Sequence, residues 1–115
     1  MIASRNRFHG INSLNYVYRH GETLRSKYMA IKFCPNNRRD TFRIAVVVSK
    51  KVAKSAPSRN RIRRRIYELF RTQAAPRLGN LDIVVTVFDE SLATMPPETL
   101  KDIILQLVDN MTNKG

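Results

Sequence analysis

The chain has 115 residues with 21 Lys/Arg against nine Asp/Glu, a formal net charge of +12, and a single cysteine, Cys34. That length suits one hydrophobic core and excludes two, so a single domain over 1–115 is expected. A hydrophobic fraction of 43% excludes a disordered basic tail, one cysteine excludes an internal disulfide, and no apolar run reaches membrane-spanning length.

Residues 1–21 carry Arg5, Arg7 and Arg19 and no acid, which reads as a basic arm for a polyanion more than as a transit peptide. Asn12 or Ser13 can cap a short helix with Leu14, Val17 and Tyr18 on its apolar face, stopped by Gly21. Residues 28–33, rich in aromatic and branched side chains, read as a strand. The turn cluster Pro35-Asn36-Asn37-Arg38-Arg39-Asp40 then predicts a hairpin to a second strand over 42–49. The unbroken run Ile44, Ala45, Val46, Val47, Val48 suits a strand near the middle of a sheet. Past Lys50-Lys51-Val52, a polar connection ends at Ser55-Ala56-Pro57-Ser58, where Ser55 or Ser58 can cap a helix and Pro57 fits its first turn. Ile62, Ile66, Leu69 and Phe70 recur at i, i+4, i+7 and i+8, a helical stripe that should end near Ala74, before Pro76. Gly79-Asn80 turns into a buried strand over 82–88. Pro96-Pro97-Glu98 opens a last helix whose stripe is Leu100, Ile103, Ile104, Leu107, Val108 and Met111. The order α-β-β-(β)-α-β-α, the bracketed strand not located, implies an α+β fold: a two-layer sandwich of helices on a small mixed sheet.

Charge is confined to one part of the chain. Through Arg77 there are 19 basic residues against three acids, a net of +16; from Leu78 onward two against six, a net of −4. Within 50–71 nine cations face one anion, Glu68. A solvated helix face normally mixes signs at i, i+4. Here Arg59, Arg61, Arg63, Arg64, Arg65 and Arg71 repel one another, so a polyphosphate backbone is the natural partner for their planar forks. An anionic membrane surface would want exposed large apolar residues on the same helix, and those here are spent on packing. Asn60 can cap, bond a base edge or order a metal-bound water, although the nearby serines compete for the cap.

The catalytic inventory is thin. His9 and His20 have no cysteine or carboxylate at metal spacing, and the adjacent Asp89 and Glu90 read as turn chemistry. There is no phosphate loop, nucleophile elbow or zinc signature. Any catalysis is expected to belong to a partner, and no cofactor is expected on the protein itself.

Val48-Ser49-Lys50-Lys51, then Arg59-Asn60-Arg61-Ile62-Arg63-Arg64 and Phe70-Arg71, resembles the "V-x-K-K … R-N-R-x-K-R … F-R" signature of the bacterial ribonuclease P protein subunit. The resemblance runs from about Arg7 to the end, taking in Tyr18-Arg19-His20-Gly21 and Asp82-Ile83-Val84-Val85. It implies an α/β sandwich with a left-handed crossover between parallel strands through the arginine helix, where general rules favour a right-handed one. It further implies a cytoplasmic protein, monomeric in the holoenzyme, that assists a catalytic RNA in cutting the 5′ leader from precursor tRNA. On this resemblance the RNA holds the active site and its Mg²⁺. The RNA-binding residues are Lys50, Lys51, Arg59, Asn60, Arg61, Arg63, Arg64 and Arg65. The leader lies in a cleft on the sheet face away from the core, for which strand alternation offers Met29, Ile31 and Phe33 beside Ala45 and Val47, flanked by Tyr18 and Phe8. The chain departs from the family pattern at Leu14 and Ile31, where aromatics are usual, and at Tyr67 and Phe88-Asp89, where basic residues are common. The runner-up is a ribosomal or ribosome-assembly RNA-binding protein; a DNA-binding module lacks the helix-turn-helix spacing.

Overall fold

A computed structural model describes residues 6, 11–36, 38 and 40–113. Arg5, Arg7, Phe8 and His9 lie outside the described residues, as do the side chains of Asn12 and Ser13. The strands are β1 (Glu22–Arg25), β2 (Met29–Pro35), β3 (Arg43–Val47) and β4 (Leu81–Val87). The helices are α1 (Ile11–His20), α2 (Ala56–Leu69), α3 (Ala75–Leu78) and α4 (Pro97–Asn113). One sheet forms in the order β1-β2-β4-β3, with β4 antiparallel to β2 and parallel to β3. The bracketed strand, expected after the other two, instead precedes them as β1. It pairs antiparallel with β2 through a turn in which the Ser26 N–H donates to Met29 O at 2.8 Å. As an outer strand it is blunted by exposed Glu22 and Arg25.

The hairpin expected between 28–33 and 42–49 does not form. β4 inserts between β2 and β3, because its run Ile83-Val84-Val85 is buried on both faces and needs a central place. β3 and β4 are parallel neighbours, so the chain must cross over between them, and α2 is that crossover. Register aligns Ile31, Val85 and Val46 in one row, and Lys32, Val84 and Ala45 in the next. Alternate rows face opposite sides.

The inner side carries the main core. Ile62, Ile66 and Phe70 from the arginine helix and its extension, and Leu100, Ile104 and Val108 from α4, pack with Ile31, Ile44, Ile83 and Val85. Each such fully buried side chain contributes roughly 1.5–3 kcal/mol. On the other side α1 covers only part of the sheet, setting Val17 on Cys34 and Val84. Gly21 closes α1 because a Cβ there would stand 2.6 Å from Val17 O.

Two expected helix limits move. α1 starts at Ile11, so Asn12 and Ser13 stand inside its first turn rather than before it. The arginine helix does not stop before Pro76: it passes through a π-helical turn, Phe70–Ala74, into α3. The Ala75 N–H reaches back to Phe70 O, five residues away, and this widened turn leads into α3 with Pro76 in its first turn, where a proline needs no N–H partner.

Candidate nucleic-acid interface

Ser55 caps α2, its Oγ accepting the Ser58 N–H at 3.2 Å, and Pro57 sits in the first turn. With Ile62 and Ile66 pointing into the core, helical geometry sends Arg64 directly outward, with Asn60 and Arg61 close to it. Lys50 and Lys51 are exposed in the turn after β3, fixed by Val52 and Ala53 N–H groups that both donate to Ser49 O.

The arginines divide by what their donors already hold. Arg59 gives Nη1 to Ala53 O and Lys54 O, both at 2.9 Å, and so ties the β3–α2 connection to the helix. Arg65 spends its fork on Leu92 O at 2.7 Å and on Met95 O, clasping the segment ahead of α4. Burial, and then the charge of Arg61, push the Arg65 pKa down. Arg71 pairs through two 2.8 Å contacts with Glu68, whose carboxyl is held down at about 2, chiefly by that hydrogen bond. Asn60 does not cap; its Oδ1 accepts from Arg63 Nη1 at 2.7 Å and so orients that guanidinium. Arg61 and Arg64 are exposed and make no hydrogen bond or ion pair among the described residues. They line an open groove of about 470 Å³ whose far wall is Thr94, Met95 and Pro97. Lys50, Lys51, Arg61 and Arg64 are thus open to solvent, Arg63 is oriented by Asn60, and Arg59 and Arg65 are already engaged in holding the fold.

The expected cleft residues do not share one face. Met29, Ile31 and Phe33 are 0, 0 and 7% exposed and belong to the core under α2 and α4. Ala45 and Val47 are half-buried on the opposite, open face. The reason is parity: Ile31 shares its row with Val46, so Ala45 and Val47 project the other way. The β2 residues on the open face are Ala30, Lys32 and Cys34. Lys32 was the available signal, since a lysine between Ile31 and Phe33 must point away from an apolar core. Thr86 joins them between Ala30 and Val47, with no signal in its own segment.

Tyr18, from α1, is 41% exposed beside this floor. Lys32 Nζ donates to Tyr18 O at 2.8 Å and lies 5.9 Å from its ring centre. At the far end of the same face Asp82, almost wholly buried, accepts a bidentate pair from Arg43 at 2.9 and 2.7 Å and a bond from Asn36 at 2.9 Å. The hydrogen bonds from Arg43 raise its own pKa, and the neighbouring Cys34 thiol is pushed up by burial and then by Asp82. Asp89 accepts the Ser91 N–H at 2.9 Å, which is turn chemistry. Among the described residues no group of three or more His, Cys, Asp or Glu is placed to hold a metal ion. No helix among them is long and apolar enough to cross a membrane.

A family model described as Ribonuclease P matches residues 2–112. The ribonuclease P protein component of Pseudanabaena sp. (strain PCC 6903) is 36% identical over 87 residues, covering 76% of this chain and 75% of that protein. The Blochmanniella floridana component is 28% identical over 106 residues, 92% and 87% of the two chains. Among solved structures, the RNase P protein from Thermotoga maritima matches with a TM-score of 0.75 at 25% identity, covering 84% of this chain and 89% of that one. The Staphylococcus aureus RNase P protein gives 0.81 at 23% identity over 92% and 94%, a likeness of fold.

Proposed function

This chain belongs to the ribonuclease P protein family, and on that premise we propose that it seats the enzyme's RNA on the outer ridge of α2 and takes the 5′ leader of precursor tRNA on the open face of its sheet. As the protein component of a ribonucleoprotein enzyme it partners the ribonuclease P RNA in tRNA processing. The observation that carries the division of surfaces is the pair of exposed guanidiniums, Arg61 and Arg64, turned away from the core and unengaged among the described residues, with Lys50 and Lys51 exposed in the turn ahead of the helix. Phosphate oxygens offer such forks the acceptors that the fold does not supply.

In this reading Lys50, Lys51, Arg61, Arg63 and Arg64 contact RNA directly. Arg59 and Arg65 hold the surface in shape, and Asn60 aims Arg63. The leader cleft is floored by Ala30, Lys32, Ala45, Val47 and Thr86 and flanked by Tyr18. Small Ala30 and Ala45 let a nucleotide come close, and the tyrosine ring offers a flat surface to an unpaired base. In this assignment Mg²⁺ belongs to the RNA. The protein works as a monomer in the holoenzyme, in the cytoplasm.

The test is cleavage of precursor tRNA by the protein alone and by the protein reconstituted with ribonuclease P RNA. Only the reconstituted enzyme is expected to release the leader and leave a 5′ phosphate. Turnover by protein rigorously freed of RNA would overturn the division of labour.

A further inference from the structure

Phe88 stands just past β4, 42% exposed. Val87 is the last core position of the strand, so alternation turns Phe88 onto the Thr86 side, the open face. Its backbone is pinned, the N–H donating to Tyr28 O at 2.8 Å. The Arg25 guanidinium lies 5.7 Å from the ring centre, and Arg25 occupies the same open-face row as Ala30, Thr86 and Val47. Arg25 makes no hydrogen bond or ion pair among the described residues, so its donors remain available.

We propose that Phe88, steadied by Arg25, is a second stacking site for an unpaired base of the leader. The assignment rests on reading the open face as the leader cleft. An aromatic ring beside a cation recurs at both ends of this floor: Tyr18 with Lys32, and Phe88 with Arg25. Lys32 pairs with Val84, four residues before Phe88, so the two stations are offset from each other along the direction of β4. Small side chains lie between them. A flat ring takes any base, while the arginine meets the phosphate that accompanies it. A purely apolar partner surface would gain nothing from a guanidinium held at the ring. The nearest carboxylate in sequence, Asp89, is turned onto the Ser91 N–H. Because β3 and β4 are parallel, Phe88 also lies at the same end of the sheet as Lys50 and Lys51. A leader leaving the catalytic RNA there meets Phe88 before Tyr18.

The experiment uses the reconstituted holoenzyme and precursors whose leader carries one abasic position, moved nucleotide by nucleotide. Wild type should lose about tenfold in affinity at two separated leader positions. Phe88→Ala should lose the same on an intact leader and be indifferent to the abasic gap at the position nearer the cleavage site only. Phe88→Leu, which keeps apolar bulk without a π face, should behave as Phe88→Ala. If Phe88→Ala matches wild type on every leader while Tyr18→Ala does not, the Phe88 station is wrong and the cleft stands. If neither variant nor any abasic position costs affinity, the leader reading of the open face fails with it.

Discussion

Arg64 and Arg65 are neighbours in sequence with opposite fates. Arg64 stands out into solvent with every donor unengaged among the described residues, whereas Arg65 is folded across to Leu92 O and Met95 O. The helix repeats the contrast with Arg61, which makes no hydrogen bond or ion pair among the described residues, and Arg59, tied to Ala53 and Lys54. Net charge therefore overstates the binding surface. Some guanidiniums are internal fasteners whose charge the partner feels only at a distance, and others are the contact itself. A helix crowded with arginine can be both a structural element and a docking ridge because successive residues point about 100° apart.

The inner limit of the contrast is the apolar stripe. Ile66 is wholly buried, so Ile66→Ala should cost roughly 2–5 kcal/mol, read as a lowered urea midpoint with an unchanged slope. A loss below about 1 kcal/mol would mean that α2 is not seated as described.

Next comes Arg65→Ala, which strands two backbone carbonyls and should cost about 2 kcal/mol, a fall of roughly 10 °C in Tm. Arg65→Lys should recover little, because a point charge cannot span both acceptors. If Arg65→Ala left Tm untouched and weakened RNA binding as strongly as Arg64→Ala, the distinction between fasteners and contacts would collapse.

How far the sequence reaches is visible in these same residues. The stripe Ile62, Ile66, Leu69 and Phe70, with Ser55 and Pro57 ahead of it, announces α2 because helix periodicity and capping are local. Arg65 gives no such notice: its acceptors lie 27 and 30 residues further on. Sheet order was likewise hidden, since nothing within 28–49 reveals that β4 will insert between two segments that read as a hairpin. Parity was recoverable. Lys32 alone, set against Met29, Ile31 and Phe33, assigns those three to the core, and Phe33→Ala accordingly belongs with Ile66→Ala as a stability variant. The π turn over Phe70–Ala74 was signalled only by Pro76, which local rules read as a stop.

A smaller effect sharpens the comparison at the end of α2. Glu68 is held at about 2 against an ordinary 4.5, chiefly by Arg71. A depressed carboxylate contributes stability above its unfolded pKa and loses it as pH falls toward the folded one, here between about 4.5 and 2. The pair is exposed, so the effect on stability should be slight. Carboxyl NMR should place the Glu68 midpoint near 2 in the wild type and raise it toward 4.5 in Arg71→Ala. A midpoint already near 4.5 in the wild type would show that Arg71, too, is free for RNA.

The most direct measurement is the salt dependence of affinity for ribonuclease P RNA, taken from about 50 to 200 mM for wild type, Arg61→Ala/Arg64→Ala and Arg65→Ala. If Arg61 and Arg64 are contacts, the double variant flattens the slope of log K against log salt by roughly 1.4–1.8, two phosphates at 0.7–0.9 each. Arg65→Ala, studied at a temperature where it stays folded, keeps the wild-type slope. A double variant whose slope is unchanged, or an Arg65→Ala slope that falls as far, would contradict the account.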